Sequence, residues 1–333
     1  MEPSVLRPVD NKKGKFRKIL FQILGLAVII FLGWYLYKNQ DSFQAIKNIS
    51  WQQIVLIVLL DFAAFFVNAV MNYFMLKRLE PRISFIDCYG LQYANSMLNK
   101  ILPTIGGGAT FKALFLKRKY DLPYSQFVSV ITGLYIISFI TTSLLGLICI
   151  LIIYLQLRIM NWVLVLAFIL FLLPSLGIII FTPKIPESDK RIVKTLSRVI
   201  TGWNTIKQDK RSLLFYALCF LILLFLTAAQ TMVSYQALAV KTSFVPMLLL
   251  SSTTIILQVL SFTPDGIGIK EGIFVFTGNL VQIPDNILVL GSLVVRAVTM
   301  VTTGIIGAIC YLILLREITK IEKEPDLLHA RGH

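Results

Sequence analysis

The chain has 333 residues, of which 56% are hydrophobic and only 15% charged, with a mean hydropathy of +0.78 and a formal net charge of +15. A soluble domain of this length carries nearer a quarter charged residues, so one soluble core is excluded. The positive charge suggests nucleic acid at first sight, but it sits in short segments between apolar runs of about 20 residues, where membrane orientation puts it. No nucleic-acid partner is expected.

Residues 1–18 form a basic tail with Arg7, Lys12, Lys13, Lys15, Arg17 and Lys18. The first apolar run, 19–37, is too long for a cleavable signal and is followed by no small-residue cleavage site, so it reads as a retained span. It ends on Trp34, Tyr35 and Tyr37, residues suited to a membrane interface. A second span is expected over 52–76, followed by Lys77, Arg78 and Arg82.

Residues 84–102 have a helical pattern but are too polar to face lipid, with Asp87, Gln92, Asn95, Asn99 and Lys100. Pro103, Gly106, Gly107 and Gly108 follow, then a short segment through Lys112 to Lys117-Arg118-Lys119. Spans are expected at 125–155 and 162–181, and a loop over 182–211 carries eight basic residues. Its basic face is a solvated surface near anionic headgroups. A fifth span covers 212–238. Residues 246–262 repeat the polar-helix pattern, ahead of Pro264, Gly266, Gly268 and a short helix through Lys270 and Glu271 to about 280. The sixth span is expected at 287–315, before a mixed-charge tail over 316–333.

Charge placement selects the topology. If 84–102 crossed fully, Lys112, Lys117, Arg118 and Lys119 would lie outside, against the positive-inside bias. If 84–116 instead dips in and returns, and 246–280 does so from the opposite side, 25 of the 32 basic residues are cytoplasmic. The expected fold is therefore all-α and polytopic. It has about six full transmembrane helices in one transmembrane domain over 19–315, plus two re-entrant helical hairpins in an inverted-repeat arrangement. Both termini are cytoplasmic, and the protein is an integral plasma (inner) membrane protein.

The two interrupted regions are the natural site. Irregular backbone survives at membrane depth only when buried in protein or lining a wet cavity. Glycines there permit tight turns, and half-helix N-termini carry partial positive charge. With Lys112 and Lys270 beside them they favour an anion such as phosphate; as the plainer alternative, Pro and Gly form only loops or packing kinks. Asp61 and Arg296 each lie nine residues into a span, roughly 13 Å deep at 1.5 Å per residue. Charges at that depth usually face a partner or a polar cavity. They are expected to share one interior, either as a functional pair or as an ion pair that fixes packing. Lys270 and Glu271 could equally form a local pair at a helix start. Polar stripes at i, i+3, i+7 occur at Gln92, Asn95, Asn99 and again at Ser251, Thr254, Gln258, as path lining or as interhelical hydrogen-bond glue.

The chain resembles the flippase-like family, also called the lysylphosphatidylglycerol synthase transmembrane region. Leu102-Pro103-Thr-Ile-Gly106-Gly107 with Lys112, and Pro264-Asp265-Gly266-Ile267-Gly268-Ile269-Lys270-Glu271-Gly272, carry the resemblance. It implies lipid translocation, as in the N-terminal module of multiple-peptide-resistance proteins, and favours Asp61, Lys112, Lys270, Glu271 and Arg296 as pathway positions. The chain departs from the family in having Gly108-Ala109 where an acidic residue often follows the paired glycines. It also has lysines at 112 and 270 where arginine is frequent. Lysine keeps the charge but loses the bidentate fork, so headgroup selectivity differs.

The leading expectation is translocation of an anionic phospholipid or isoprenoid-linked lipid, with the membrane lipid as partner. A small-anion transporter and a non-transporting partner of a lipid-synthesising enzyme are the alternatives. The candidate binding and translocation residues are Asp61, Asn95, Asn99, Lys112, Gln258, Lys270, Glu271 and Arg296. The candidate turning points are Pro103, Gly106, Gly107, Gly108, Pro264, Gly266 and Gly268. The scattered Cys88, Cys149, Cys219 and Cys310 and the tail residues His329 and His333 have no metal-site spacing. No nucleophile–base pair or nucleotide loop stands out, so no enzyme activity, cofactor or metal is expected. Homodimerisation is left open.

Overall fold

The computed structural model describes residues 49–101, 107–181, 210–257, 266 and 268–323. The described residues form nine α-helices and no strand: α1 (Trp51–Lys77), α2 (Phe85–Ile101), α3 (Gly107–Tyr120), α4 (Tyr124–Leu157), α5 (Trp162–Phe181), α6 (Lys210–Ala237), α7 (Phe244–Leu257), α8 (Ile269–Val281) and α9 (Asp285–Lys323). Within α1, α4, α5, α6 and α9 lie five helices long and apolar enough to cross a membrane. They match five of the six expected spans. The first, 19–37, lies outside the described residues, as do the 1–18 tail, Pro103, Gly106, Gln258, Pro264, most of the 182–211 loop and the last ten residues.

Local chemistry sets the ends of these helices. Ser50 caps α1 reciprocally: its Oγ accepts from the Gln53 amide at 3.4 Å, and Gln53 Oε1 accepts from the Ser50 amide at 3.0 Å. Pro123 fixes an extended turn before α4, and Arg158 ends α4 in the left-handed region at φ 58°. The outward faces are apolar, with Leu59 and Phe66 on α1, Leu166, Leu170 and Leu173 on α5, and Val301, Ile305 and Leu312 on α9 exposed. Such a surface is stable only in lipid.

The four remaining helices are short. α2 has 17 residues, α3 and α7 have 14 each, and α8 has 13. At 1.5 Å per residue the last three reach about 20 Å, less than a hydrocarbon core. They occupy the two regions whose polarity and glycines set them apart in the sequence.

Two apolar cores stack along the long helices. One gathers Met71, Met75 and Leu76 of α1, Phe111 and Phe115 of α3, Leu134 and Ile137 of α4, Tyr216 of α6 and Leu314 of α9. The other gathers Ile57 of α1, Ile150 and Ile153 of α4, Leu224 and Tyr235 of α6, Leu249 of α7, Phe274 of α8 and Leu288 of α9. Hence α1 and α9 run from the second core toward the first, while α4 and α6 run the other way. Packing is reciprocal: α2 lies against α1 and α9, α7 against α6 and α4, and α1 packs on α6.

Glycine permits two of the closest approaches. A Cβ at Gly108 would overlap the backbone of Asn95, which brings α3 against α2. A Cβ at Gly291 would enter the ring of Tyr235, whose hydroxyl donates to the Leu288 carbonyl at 2.9 Å. Small residues let helix axes meet in this way where lipid supplies no hydrophobic drive.

Candidate functional site

A cavity of about 220 Å³ opens between the two cores. Asp61 and Phe65 of α1 line it, with Ser96 and Lys100 of α2, Thr227, Gln230 and Thr231 of α6, and Ser251 and Thr254 of α7. Lys270 and Phe274 of α8 and Ser292, Val295, Arg296 and Thr299 of α9 complete the wall. Only Phe65, Phe274 and Val295 among these are apolar. Three cations and one carboxylate line the cavity, with a second carboxylate, Glu271, against Arg296.

The second short-helix pair supplies a wall tied together by polar contacts. Gly266 and Gly268 take φ of 69° and 80°, a region open to glycine at little cost, and so swing the chain into α8. In the first turn of α8, Glu271 bends back, and its Oε2 accepts from the Gly268 amide at 2.7 Å. Its Oε1 accepts from Ser292 Oγ at 2.9 Å and stands 3.1 Å from Arg296 Nη2. Ser292 and Arg296 are four residues apart on α9 and therefore share a face. Glu271 is 3% exposed and Arg296 8%, so the guanidinium is held in a dry wall by a carboxylate that is itself anchored.

Asp61 stands on the α1 wall. Its Oδ2 accepts from Thr302 Oγ1 at 3.2 Å, and the Lys100 ammonium and Gln230 amide lie close to it. Gln230 Nε2 donates to the Ile57 carbonyl at 3.2 Å and ties α6 to α1. Lys100 Nζ donates to the Thr299 carbonyl at 2.9 Å and to Thr303 Oγ1 at 3.3 Å, reaching from α2 to α9.

The structure brings some expected site residues together and separates others. Asp61, Lys270 and Arg296 share the cavity. The expected pairing of Asp61 with Arg296 is corrected: Arg296 is bound by Glu271, because α8 enters beside the Ser292–Arg296 face of α9. Asn95 and Asn99 do not line the cavity. Asn99 Oδ1 accepts from the Gly108 amide at 3.0 Å, and Asn95 packs against Gly108, so both secure the start of α3. Lys112 also stands apart. It is 4% exposed, its Nζ donates to Asn72 Oδ1, and the Phe127 ring centroid lies 5.8 Å away.

Lys100 and Gln230 are cavity residues that the sequence reading did not place among its candidates. Lys100 was visible as a cation inside a polar helical run. Gln230 had no signal beyond being a lone amide within an apolar span.

The fold and cavity define a polytopic helical membrane protein with a cationic, polar interior. The family model for the lysylphosphatidylglycerol synthase TM region matches residues 22–307, and the chain belongs to that family. It is also similar to the UPF0104 membrane protein MJ1595 of Methanocaldococcus jannaschii, with 23% identity over 271 residues, 74% of this chain and 80% of the relative. No solved structure matches the chain.

Proposed function

We propose that this protein moves an anionic phospholipid or isoprenoid-linked lipid between membrane leaflets, with the phosphate held by Arg296 and Lys270. The observation that carries this reading is the excess of cations over carboxylates in a cavity walled by both short-helix pairs. A volume of about 220 Å³ suits a headgroup with a few waters and is below the range of pockets that enclose whole drug-sized ligands. Acyl chains would therefore stay in the bilayer while the headgroup crosses. Membership of a family named for the membrane region of lysylphosphatidylglycerol synthases is in keeping with a phospholipid substrate.

In this reading α2–α3 and α7–α8 are re-entrant hairpins that enter from opposite sides. The run α1 to α4 then repeats, inverted, as α6 to α9. The opposed helix directions and reciprocal packing support the repeat, and the basic residues flanking α1, α3 and the 182–211 loop support cytoplasmic termini in a plasma (inner) membrane. The protein acts as a transporter and not as an enzyme.

Reconstitution tests this directly. Proteoliposomes with a labelled anionic phospholipid should show leaflet exchange that Arg296→Ala and Lys270→Ala abolish in folded protein. Exchange unchanged in both variants would sink the reading. Uptake of inorganic phosphate without lipid exchange would transfer the cavity to a soluble anion. Stable co-purification with a lipid-synthesising enzyme, together with tolerance of both substitutions, would make the protein a partner of that enzyme.

A further inference from the structure

Each half carries an amide and a lysine at the same interval, although Lys112 is the sixth residue of α3 and Lys270 the second of α8. Lys112 follows Asn72 by 40 residues, and Lys270 follows Gln230 by the same interval. Asn72 and Gln230 lie on the spans that precede each short-helix pair, and the lysines lie on the second arms. Both amides are buried. Each has its nitrogen held by a backbone carbonyl, Asn72 Nδ2 by Asn68 at 2.7 Å and Gln230 Nε2 by Ile57 at 3.2 Å. That leaves an amide oxygen as the natural acceptor for an ammonium.

The surroundings of the two lysines differ. Lys270 and Gln230 both line the cavity. Lys112 is sealed in the first core, held by the Asn72 oxygen and faced by the Phe127 ring. A buried ammonium held by a neutral amide rather than a carboxylate is costly as permanent packing. It suits a group that leaves its burial place during a cycle.

We propose that Lys112 and Asn72 are the closed form of a second phosphate-binding subsite, whose open counterpart is Lys270 and Gln230. The two subsites exchange roles as the anion crosses, which is how an inverted repeat produces alternating access. This rests on the transport reading above. In the opposite state Lys270 is sealed against the Gln230 oxygen and Lys112 faces the cavity.

The test begins in protein whose Cys88, Cys149, Cys219 and Cys310 have been replaced. Gln230→Cys and Lys270→Cys are bridged with a bifunctional thiol reagent, after which the reactivity of Lys112→Cys toward a charged thiol reagent is measured by mass spectrometry. Bridging should raise that reactivity at least tenfold over the unbridged protein. A position 112 that stays unreactive after bridging overturns the exchange. Asn72→Asp, in the otherwise native chain, gives Lys112 a carboxylate and holds it closed. Leaflet exchange should fall at least tenfold without loss of thermal stability, and an unchanged rate also overturns the proposal. Exposure of position 112 on bridging, together with no leaflet exchange by the native chain, would support the exchange while refuting the lipid reading. Binding of inorganic phosphate to the native chain in neutral-lipid nanodiscs would then indicate a soluble anion, and retention of anionic lipid without phosphate binding would indicate the headgroup.

Discussion

The α2–α3 pair and the α7–α8 pair begin from similar sequence and both line the cavity, yet the second-arm lysine of one is sealed away and that of the other stands in the cavity wall. In the first, Asn95 and Asn99 grip the start of α3, and Lys112 is buried against Asn72. Its far ends are clamped as well. The Tyr120 hydroxyl donates to Asp87, and Lys119 lies 2.8 Å from Asp87 and 2.7 Å from Glu317 of α9. In the second pair Gly272, in the first turn of α8, has open space where a Cβ would stand, and Glu271 reaches across to α9. A lysine after a glycine turn is thus no site by itself. Lys112 is stored against Asn72, whereas Lys270 lines the cavity beside Gln230 and Arg296.

The largest effect should come from breaking the second pair's ion cluster. Glu271→Ala leaves Arg296 buried without its carboxylate and should cost about 3–5 kcal/mol, read as thermal unfolding in nanodiscs. The double replacement Glu271→Leu with Arg296→Met should recover most of that stability and none of the lipid exchange. Recovery of both would show that the cluster serves packing alone.

Next in size is the contrast between two glycines. Gly108→Ala forces α3 away from the Asn95 backbone and should destabilise by about 1–3 kcal/mol. Gly272→Ala meets no atom within 4 Å and should be neutral or stabilising by up to about 1 kcal/mol, the helix-propensity difference. Equal melting temperatures for the two variants would remove the asymmetry.

Arg296→Lys keeps the charge but loses the planar fork, and should slow leaflet exchange by roughly tenfold, about 1.4 kcal/mol, with little change in melting. An effect of similar size, on stability and not on exchange, is expected at the clamp of the first pair. Tyr120→Phe removes a hydrogen bond to Asp87 and should lower stability by about 1–2 kcal/mol while leaving the exchange rate of folded protein unaltered. A reduced rate would show that the first pair's outer end also moves during transport.

Apolar runs at 52–76, 125–155, 162–181, 212–238 and 287–315 were sufficient to place five spans, four of them within a few residues and the last stopping short of the end of α9, because a span must hide its whole backbone within one segment. Asp61 and Arg296 were legible for the related reason that a charge amid such a run needs an explanation. Their partners were not. Glu271 reaches Arg296 across a helix–helix contact, and only the entry angle of α8 shows that it, rather than Asp61, supplies the carboxylate. Lys100 lay in plain view, but which face of α2 meets α9 is absent from any one-dimensional pattern.

The residues of this chain determined that it is a helical membrane protein with two polar, glycine-marked interruptions, since hydropathy and backbone satisfaction are local properties. The tertiary structure alone decided which lysine stands in the cavity and which is sealed away. The cost of a buried charge depends on the groups that surround it, and here those groups come from helices far apart in sequence.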